Sequence, residues 1–305
     1  MIEGQEGLTW ERWRRLCHDV EALGFDSLWR SDHFYSVMGV PGRECIETWV
    51  SLALAAEWTT RVEFGALVSS MTFRHPALLA RMAASVDQLS GGRLVVGVGG
   101  GWYQQEHERF GIPFPDTRTR LDRLEQGIAR MRQTWAEALP RPIRDPVPLI
   151  VGGTGEKRTL RIVAREASEW NCNQPSLETY RAKAQVLAAY CREIGRDPGS
   201  IRHSLMNAFL IGRNEDELRG RAALVGKVVP RFGEASPDRI LEQVRGRWFV
   251  GTPPAVVQQI STYAEAGVSR FMLQHFLMDD VDALQLLAQE VLPALARTAA
   301  PTPGH

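Results

Sequence analysis

The chain lacks the features that mark several protein classes. Its 305 residues include four cysteines and no Cys-x-x-Cys pair, so neither a disulfide framework nor a metal site is indicated. Basic and acidic residues balance at 36 each, which leaves no surplus charge for nucleic acid or an anionic membrane. No apolar run approaches the ~20 residues of a membrane span, and the acidic N-terminus lacks a signal-peptide pattern. We expect a cytoplasmic protein with reduced thiols.

Two glycine motifs for nucleotides are also missing. The run from Gly97 to Gly101 is followed by Trp102, where G-x-G-x-x-G needs its third glycine, and no G-x-x-x-x-G-K-[ST] occurs. Nucleotide hydrolysis and that mode of dinucleotide binding are therefore not expected. Four glycines at the end of an apolar strand still permit positive φ and a close approach of backbone to ligand. We interpret them as the contact surface of a planar cofactor, the alternative being a tight strand-to-helix turn.

Strands and helices alternate along the chain, and this repetition predicts the fold. The predicted strands lie near residues 25–30, 62–68, 93–98, 149–151, 169–172, 203–211 and 270–276. Repeated βα units in about 300 residues favour an α/β fold of the TIM-type (β/α)8 barrel class over a doubly wound sheet. Only Met1 to Gln5 precede the first loop, so the first strand is predicted to be truncated, or the true start to lie upstream. We expect a single domain over 1–298 and a disordered tail over 299–305.

Polar residues follow several of the predicted strands. Asp32 and His33 come directly after the second strand of the barrel; a carboxylate beside an imidazole can hold a tautomer or place a proton donor near neutral pH. On spacing alone, an ordinary surface pair is the simpler explanation. Gly152 and Gly153 precede a helix start, whose free N–H groups suit a phosphate or carboxylate. In a parallel barrel these strand ends share one face, which is where ligands bind.

Taken together, these motifs resemble the bacterial luciferase-like monooxygenase superfamily, in particular its coenzyme F420-dependent oxidoreductase branch. The matching stretches are residues 24–34, 66–102, 147–171 and 249–273. The resemblance implies a TIM-type barrel with its cofactor at the carboxyl ends of the strands. It also implies hydride transfer between the deazaflavin F420 and a small organic substrate.

The resemblance also implies roles for individual residues. Asp32 would contact the cofactor, and His33 would be a proton donor or lie beside the hydride site. Trp102 would wall the substrate side; sugar-phosphate dehydrogenases of this branch carry an acidic residue there, so a glucose-phosphate dehydrogenase is not expected. Ser69 and Ser70 fall where the family has a bulge behind the ring, often with a non-prolyl cis peptide. Gly152 and Gly153 would hold the phosphate-bearing tail of the cofactor, and its further contacts would be Gly100, Gly101, Gln105 and Thr154.

Two alternatives remain open at the level of sequence. One is an FMN-dependent two-component monooxygenase that uses reduced flavin and oxygen, and the other is a non-catalytic flavin-binding barrel with a defective seam. F420 has a long acidic tail, so a basic exit path through Lys157 and Arg158 would favour it over FMN, whose phosphate is compact. The class is compatible with a homodimer, although the sequence contains no clear interface pattern.

Overall fold

Parallel strands alternate with helices in the computed structural model, which describes residues 1–299. The strands are β1 (Ser27–Arg30), β2 (Glu63–Ala66), β3 (Ser69–Ser70), β4 (Val96–Gly99), β5 (Leu149–Gly152), β6 (Glu169–Asn173), β7 (Arg202–Ile211), β8 (Phe249–Gly251) and β9 (Arg270–Gln274). The helices are α1 (Trp10–Ala22), α2 (Thr48–Trp58), α3 (Pro76–Leu89), α4 (Gln104–Arg109), α5 (Thr117–Glu137), α6 (Thr159–Glu166), α7 (Leu177–Glu193), α8 (Glu215–Val228), α9 (Pro237–Val244), α10 (Pro253–Glu265), α11 (Val281–Leu286) and α12 (Leu292–Ala299). The predicted α/β class with a parallel sheet is confirmed.

The strands form two parallel ladders that single bridges connect. β1 pairs with β2, and β3 to β7 pair in chain order, with β8 and β9 both pairing with β7. One bridge between Phe64 and Leu94 links the two ladders. The strands therefore form a TIM-type barrel in which few hydrogen bonds join β1 and β2 to the other strands.

Residues 1 and 2 occupy the place of the first barrel strand. The Ile2 N–H donates to the Trp29 carbonyl at 2.8 Å, and the Ile2 carbonyl accepts from Ser31 at 3.0 Å. On the other side, the Met1 amino group donates to the carbonyl of Leu273 at 2.9 Å. Two residues therefore span the seam between β1 and β9.

Two details of the sheet differ from the sequence-based expectation. The strand predicted at 62–68 ends at Ala66, a separate strand β3 follows it at Ser69–Ser70, and a cis peptide bond joins Leu67 and Val68 between them. The three-residue strand β8 was not predicted, because so short a segment has no readable alternation. It belongs to the segment between β7 and β9, which also contains α8, α9 and α10. This segment carries the turn at Pro230–Phe232 to the rim of the barrel.

The core has one layer outside the strands and another inside them. The outer layer packs the helices against the sheet; for example, Trp13 and Leu16 of α1 are fully buried. The barrel interior is filled by a smaller apolar cluster, on which Val68 also packs: Met1, Trp29, Leu67, Val95, Ile150, Met206 and Met272. A filled interior makes the barrel a packed core and not a pore.

The C-terminal end of the chain is described as far as α12. Ala299 is the last residue of that helix, and the rest of the tail predicted at 299–305 lies outside the described residues. Within residues 1–299, no helix combines the length and the apolar character that a membrane crossing requires.

Candidate functional site

A cleft opens at the carboxyl ends of the barrel strands. Its volume is about 680 Å³, within the range of about 300–1,000 Å³ found for small-molecule sites. Loops after β1, β3, β4, β5, β6 and β9 contribute to its walls. The predicted site residues that line it are Asp32, His33, Ser70, Gly100, Gly101, Trp102, Gly152 and Gly153.

Three predicted residues do not line the cleft. Ser69 is fully buried behind it and donates to Asp32 at 2.6 Å. Gln105 is exposed on α4, where its side chain accepts from the Tyr103 hydroxyl at 3.0 Å. Thr154 lies beyond Gly153 and outside the lining. The placement of Gln105 follows from the helix, because α4 turns Glu106 and its neighbour inward and Gln105 outward.

The glycines of β4 and of the loop after it have different structural roles. A side chain at Gly97 would overlap the carbonyl oxygen of Ala66, and one at Gly99 would come within 2.7 Å of a methyl carbon of Val68. These two glycines therefore let β2 and Val68 pack closely inside the barrel. Gly101 has φ +77° and lies against the Ser70 hydroxyl. The cluster is thus partly a packing device and partly a turn at the cleft.

We expect Gly101→Ala to lower the free energy of unfolding by about 2 kcal/mol or more. Alanine in a left-handed backbone conformation costs roughly 1–2 kcal/mol, and the new methyl group would also displace the buried Ser70 hydroxyl. The matched control is Gly111→Ala, where φ is +65° and no atom lies within 4 Å of the added carbon. Urea unfolding of both variants measures the difference; equal losses would show that Gly101 has no special packing role.

Asp32 is an anchored carboxylate. Arg74 donates to both of its oxygens, at 2.6 and 3.2 Å, and the Asp32 side chain is fully buried. Burial alone would raise the pKa of Asp32, but the charge and hydrogen bonds of Arg74, with that of Ser69, outweigh burial and hold the pKa below its usual value. Asp32 is therefore ionised and held to Arg74, which fixes the turn that leads to His33.

His33 is oriented by a second buried carboxylate. Its Nδ1 lies 2.7 Å from Oε2 of Glu106, a residue with no solvent exposure, which also accepts the Phe34 N–H. Because a carboxylate accepts, Nδ1 carries the hydrogen, and Nε2 is left for the cleft. Burial would lower the pKa of His33, but the hydrogen bond and charge of Glu106 raise it overall. The cleft thus contains an imidazole of fixed orientation whose second nitrogen can exchange a proton.

The sequence matches the family model of the luciferase-like monooxygenases over residues 2–270. The chain belongs to this family. An F420-dependent hydroxymycolic acid dehydrogenase of Mycobacterium tuberculosis is 28% identical, over 90% of this chain and 82% of the relative. An F420-dependent glucose-6-phosphate dehydrogenase of Intrasporangium calvum is 27% identical, over 90% of this chain and 92% of the relative.

Solved structures of similar fold divide between two cofactors. An F420-dependent secondary alcohol dehydrogenase in complex with an F420-acetone adduct aligns with a TM-score of 0.77 and 21% identity, over 92% of this chain and 94% of that one. The oxygenating constituent of 3,6-diketocamphane monooxygenase of Pseudomonas putida, in complex with FMN, aligns with a TM-score of 0.74 and 18% identity, over 96% and 97% of the two chains. At these identities the likeness establishes the luciferase-like barrel fold.

Aromatic rings surround the imidazole in this luciferase-like barrel. Trp102 and Tyr103 approach His33 edge-on, with ring centroids 5.8 and 6.4 Å away, and Phe73 lies at 6.5 Å. Trp102 is 65% exposed, so a ligand in the cleft has this indole face to cover. Apolar rings around one polar nitrogen limit the access of water and leave His33 as the proton-exchanging group of this wall.

A hydrogen-bonded chain fixes the hydroxyl of Ser70. The carbonyl of Tyr103 lies 2.8 Å from Nδ1 of His107 and can only accept, so that nitrogen carries the hydrogen. Nε2 of His107 lies 2.6 Å from the Thr72 hydroxyl, which in turn lies 2.6 Å from the Ser70 hydroxyl. The Ser70 hydroxyl, held in this way, can exchange hydrogen bonds with a ligand in the cleft.

The loop after β5 offers backbone donors, although not at the predicted residue. The N–H of Gly153 already donates to the carbonyl of Asn171 at 3.1 Å. By contrast, within residues 1–299 no acceptor is found for the N–H groups of 154–158, just before α6. Lys157 is exposed beside them, whereas Arg158 pairs with Asp122 at 2.7 Å. The predicted basic exit path is therefore reduced to Lys157 and these backbone groups.

Several residues of the site were not singled out from the sequence. Glu106 and Arg74 provide its two buried ion pairs, and the Thr72–His107 pair orients Ser70. The only available signal was the adjacent Glu and His in a short helix after Trp102, since charged side chains on an inward helix face need partners. Without coordinates, which of the residues of α4 face inward could not be decided.

Proposed function

We propose that the protein is an F420-dependent oxidoreductase that transfers hydride between the deazaflavin and a small organic substrate. The observation that carries the proposal is the imidazole of His33, which lines the cleft with Nδ1 on Glu106 and, among the described residues 1–299, no partner on Nε2. Similarity over 90% of the chain to enzymes named as F420-dependent dehydrogenases supports the choice of cofactor. A proton must move whenever a hydride moves between an alcohol and a carbonyl, and His33 is suited to that transfer.

The residues of the cleft fit a flat conjugated ring with an anionic tail. Val68 forms the floor, and bare glycine backbone at Gly99 and Gly152 lies beside it, where a side chain would come within 2.7 and 3.2 Å of the valine methyls. The Ser70 oxygen provides an acceptor at the edge of this surface. The free N–H groups of 154–158 suit a phosphate at the start of α6.

When bound, F420 supplies the carbon that accepts or returns the hydride. The chain's own residues handle the proton. During oxidation of an alcohol, Nε2 of neutral His33 takes the hydroxyl proton, and Glu106 stabilises the imidazolium that results. In the reverse direction, the same nitrogen returns the proton to the carbonyl oxygen. Asp32 and Arg74 hold the turn that presents the imidazole, and the rings of Trp102 and Phe73 exclude water from it.

Glu106→Gln is expected to move the pH profile of kcat to lower pH. The carboxylate raises the pKa of His33, so a neutral amide allows that pKa to fall toward or below its usual value near 6.5. Oxidation needs neutral His33, and its rate rises with pH through this pKa; the inflection should therefore occur at lower pH in the variant. The matched control is Glu108→Gln on the exposed face of the same helix, which should leave the inflection in place.

An FMN-dependent two-component monooxygenase is the second candidate. It is favoured by the FMN-bound monooxygenase of the same fold and by Arg158, whose ion pair with Asp122 removes it from an exit path for a long acidic tail. Titration of the purified protein with F420 and with FMN separates the two. We expect tight binding of F420 and weak binding of FMN; tight FMN binding without F420 binding would refute the deazaflavin assignment.

A further inference from the structure

A second concave surface lies beside the cleft. This side groove has a volume of about 1,160 Å³ and lies between the loop at 38–44, α8 and the segment after β9. Its apolar lining consists of Met38, Leu224, Val228, Phe276, Leu277 and Met278. Leu224 is 45% exposed in it. An apolar surface of this size suits an apolar ligand, because covering it removes that surface from water.

The charges around the side groove largely neutralise one another. Arg12 donates to Asp279 at 2.7 Å, Arg43 pairs with the buried Glu6, and Arg221 donates to Asp280 at 2.7 Å. These three arginines are therefore already paired with carboxylates of the protein itself. The paired charges form the rim of the groove, which also includes Glu44 and Lys227, and the apolar side chains form its floor.

The side groove adjoins the cleft, because Met38 and Phe276 line both. Phe276 stacks on Trp248 with ring centroids 5.2 Å apart, which holds it in place. The backbone N–H of Met38 donates to Glu6 at 3.1 Å, whereas the Met38 side chain is unbranched and adaptable. A ligand that reacts in the cleft can thus extend past one fixed and one adaptable side chain into the groove.

We propose that the substrate of the oxidoreductase carries an unbranched aliphatic chain, and that this chain occupies the side groove. The proposal rests on the proposed function for the reacting end of the molecule, which lies in the cleft near His33. The chain end passes between Met38 and Phe276 and covers Leu224. The substrate class is accordingly a long-chain alcohol or ketone, rather than a compact polar molecule.

Displacement of dansyl-undecanoic acid by straight-chain alcohols, from hexanol to tetradecanol, tests this proposal. Affinity should rise by about 3- to 4-fold per added methylene until the groove is filled. Leu224→Gln should weaken the longer alcohols by about 10-fold and leave hexanol nearly unchanged. The matched control is Leu89→Gln, at another exposed leucine, 62% accessible at the end of α3, which should change nothing.

Each other outcome has a defined meaning. No dependence on chain length in the unsubstituted protein would overturn the proposal, and so would equal affinities in the Leu224 and Leu89 variants. The titration is run with and without F420, because displacement of the probe measures binding of the alcohol's aliphatic chain independently of turnover. If F420 does not bind but the Leu224-sensitive dependence on chain length persists, the proposed reaction fails while the assignment of the groove is supported.

Discussion

His33→Asn is expected to lower kcat by about 10²- to 10⁴-fold, the usual contribution of a positioned general acid–base group. Asparagine keeps a polar side chain of similar reach but has no nitrogen that titrates near neutral pH. His33 lies in the cleft and is held by Glu106 at 2.7 Å, so no other group in its position takes over the proton. Turnover of F420 at saturating substrate, followed by its absorbance, measures the loss.

Two controls give this experiment its meaning. His18→Asn, at an exposed histidine of α1, should keep full activity. The dissociation constant of F420 should change little in His33→Asn, because the imidazole is assigned to the proton and not to retention of the cofactor. A variant with unimpaired kcat would refute the role of His33; a variant that has merely lost F420 would assign His33 to binding instead.

Arg74→Met is expected to destabilise the protein by about 3–5 kcal/mol, as found when one partner of a buried ion pair is removed. The substitution would leave the Asp32 carboxylate fully buried without its counter-ion. Asp32 would then be forced towards its protonated form, because burial raises its pKa once the charge of Arg74 is lost. Urea unfolding at neutral pH measures the loss.

The control and the rescue use matched substitutions. Arg158→Met removes ion pairs with Asp122 and Glu125 in which every side chain is substantially exposed, so its cost should be about 0–1 kcal/mol. The double variant Asp32→Asn with Arg74→Met removes the stranded charge and should recover part of the stability. Equal losses in the Arg74 and Arg158 variants would contradict the account of Asp32 as a buried, paired carboxylate.

Much of the fold could be predicted because it depends on local patterns. Apolar strands that end in glycine or polar residues, each followed by an amphipathic helix, specify a parallel barrel, and the strand ends converge on one face. Asp32 and His33 were assigned to the site through the family resemblance and not through local pattern alone, and with Trp102 they line the cleft.

The partners of these residues could not be predicted in the same way. Glu106 is 73 positions from His33, and Arg74 is 42 positions from Asp32, so their pairing depends on how two loops pack. Gln105 and Glu106 are neighbours in the sequence, and only the packing of α4 decides which faces inward. Gly153 was predicted to hold the phosphate-bearing tail, but its N–H donates to the carbonyl of Asn171 in the next strand.

The most direct test of the deazaflavin assignment is to identify the cofactor that copurifies from a host that makes F420. We expect the copurified cofactor to have the absorbance and mass of F420, at about one molecule per chain. The Gly101→Ala variant should carry less, because the turn beside Ser70 is displaced. FMN in place of F420, or a protein that retains neither, would contradict the account.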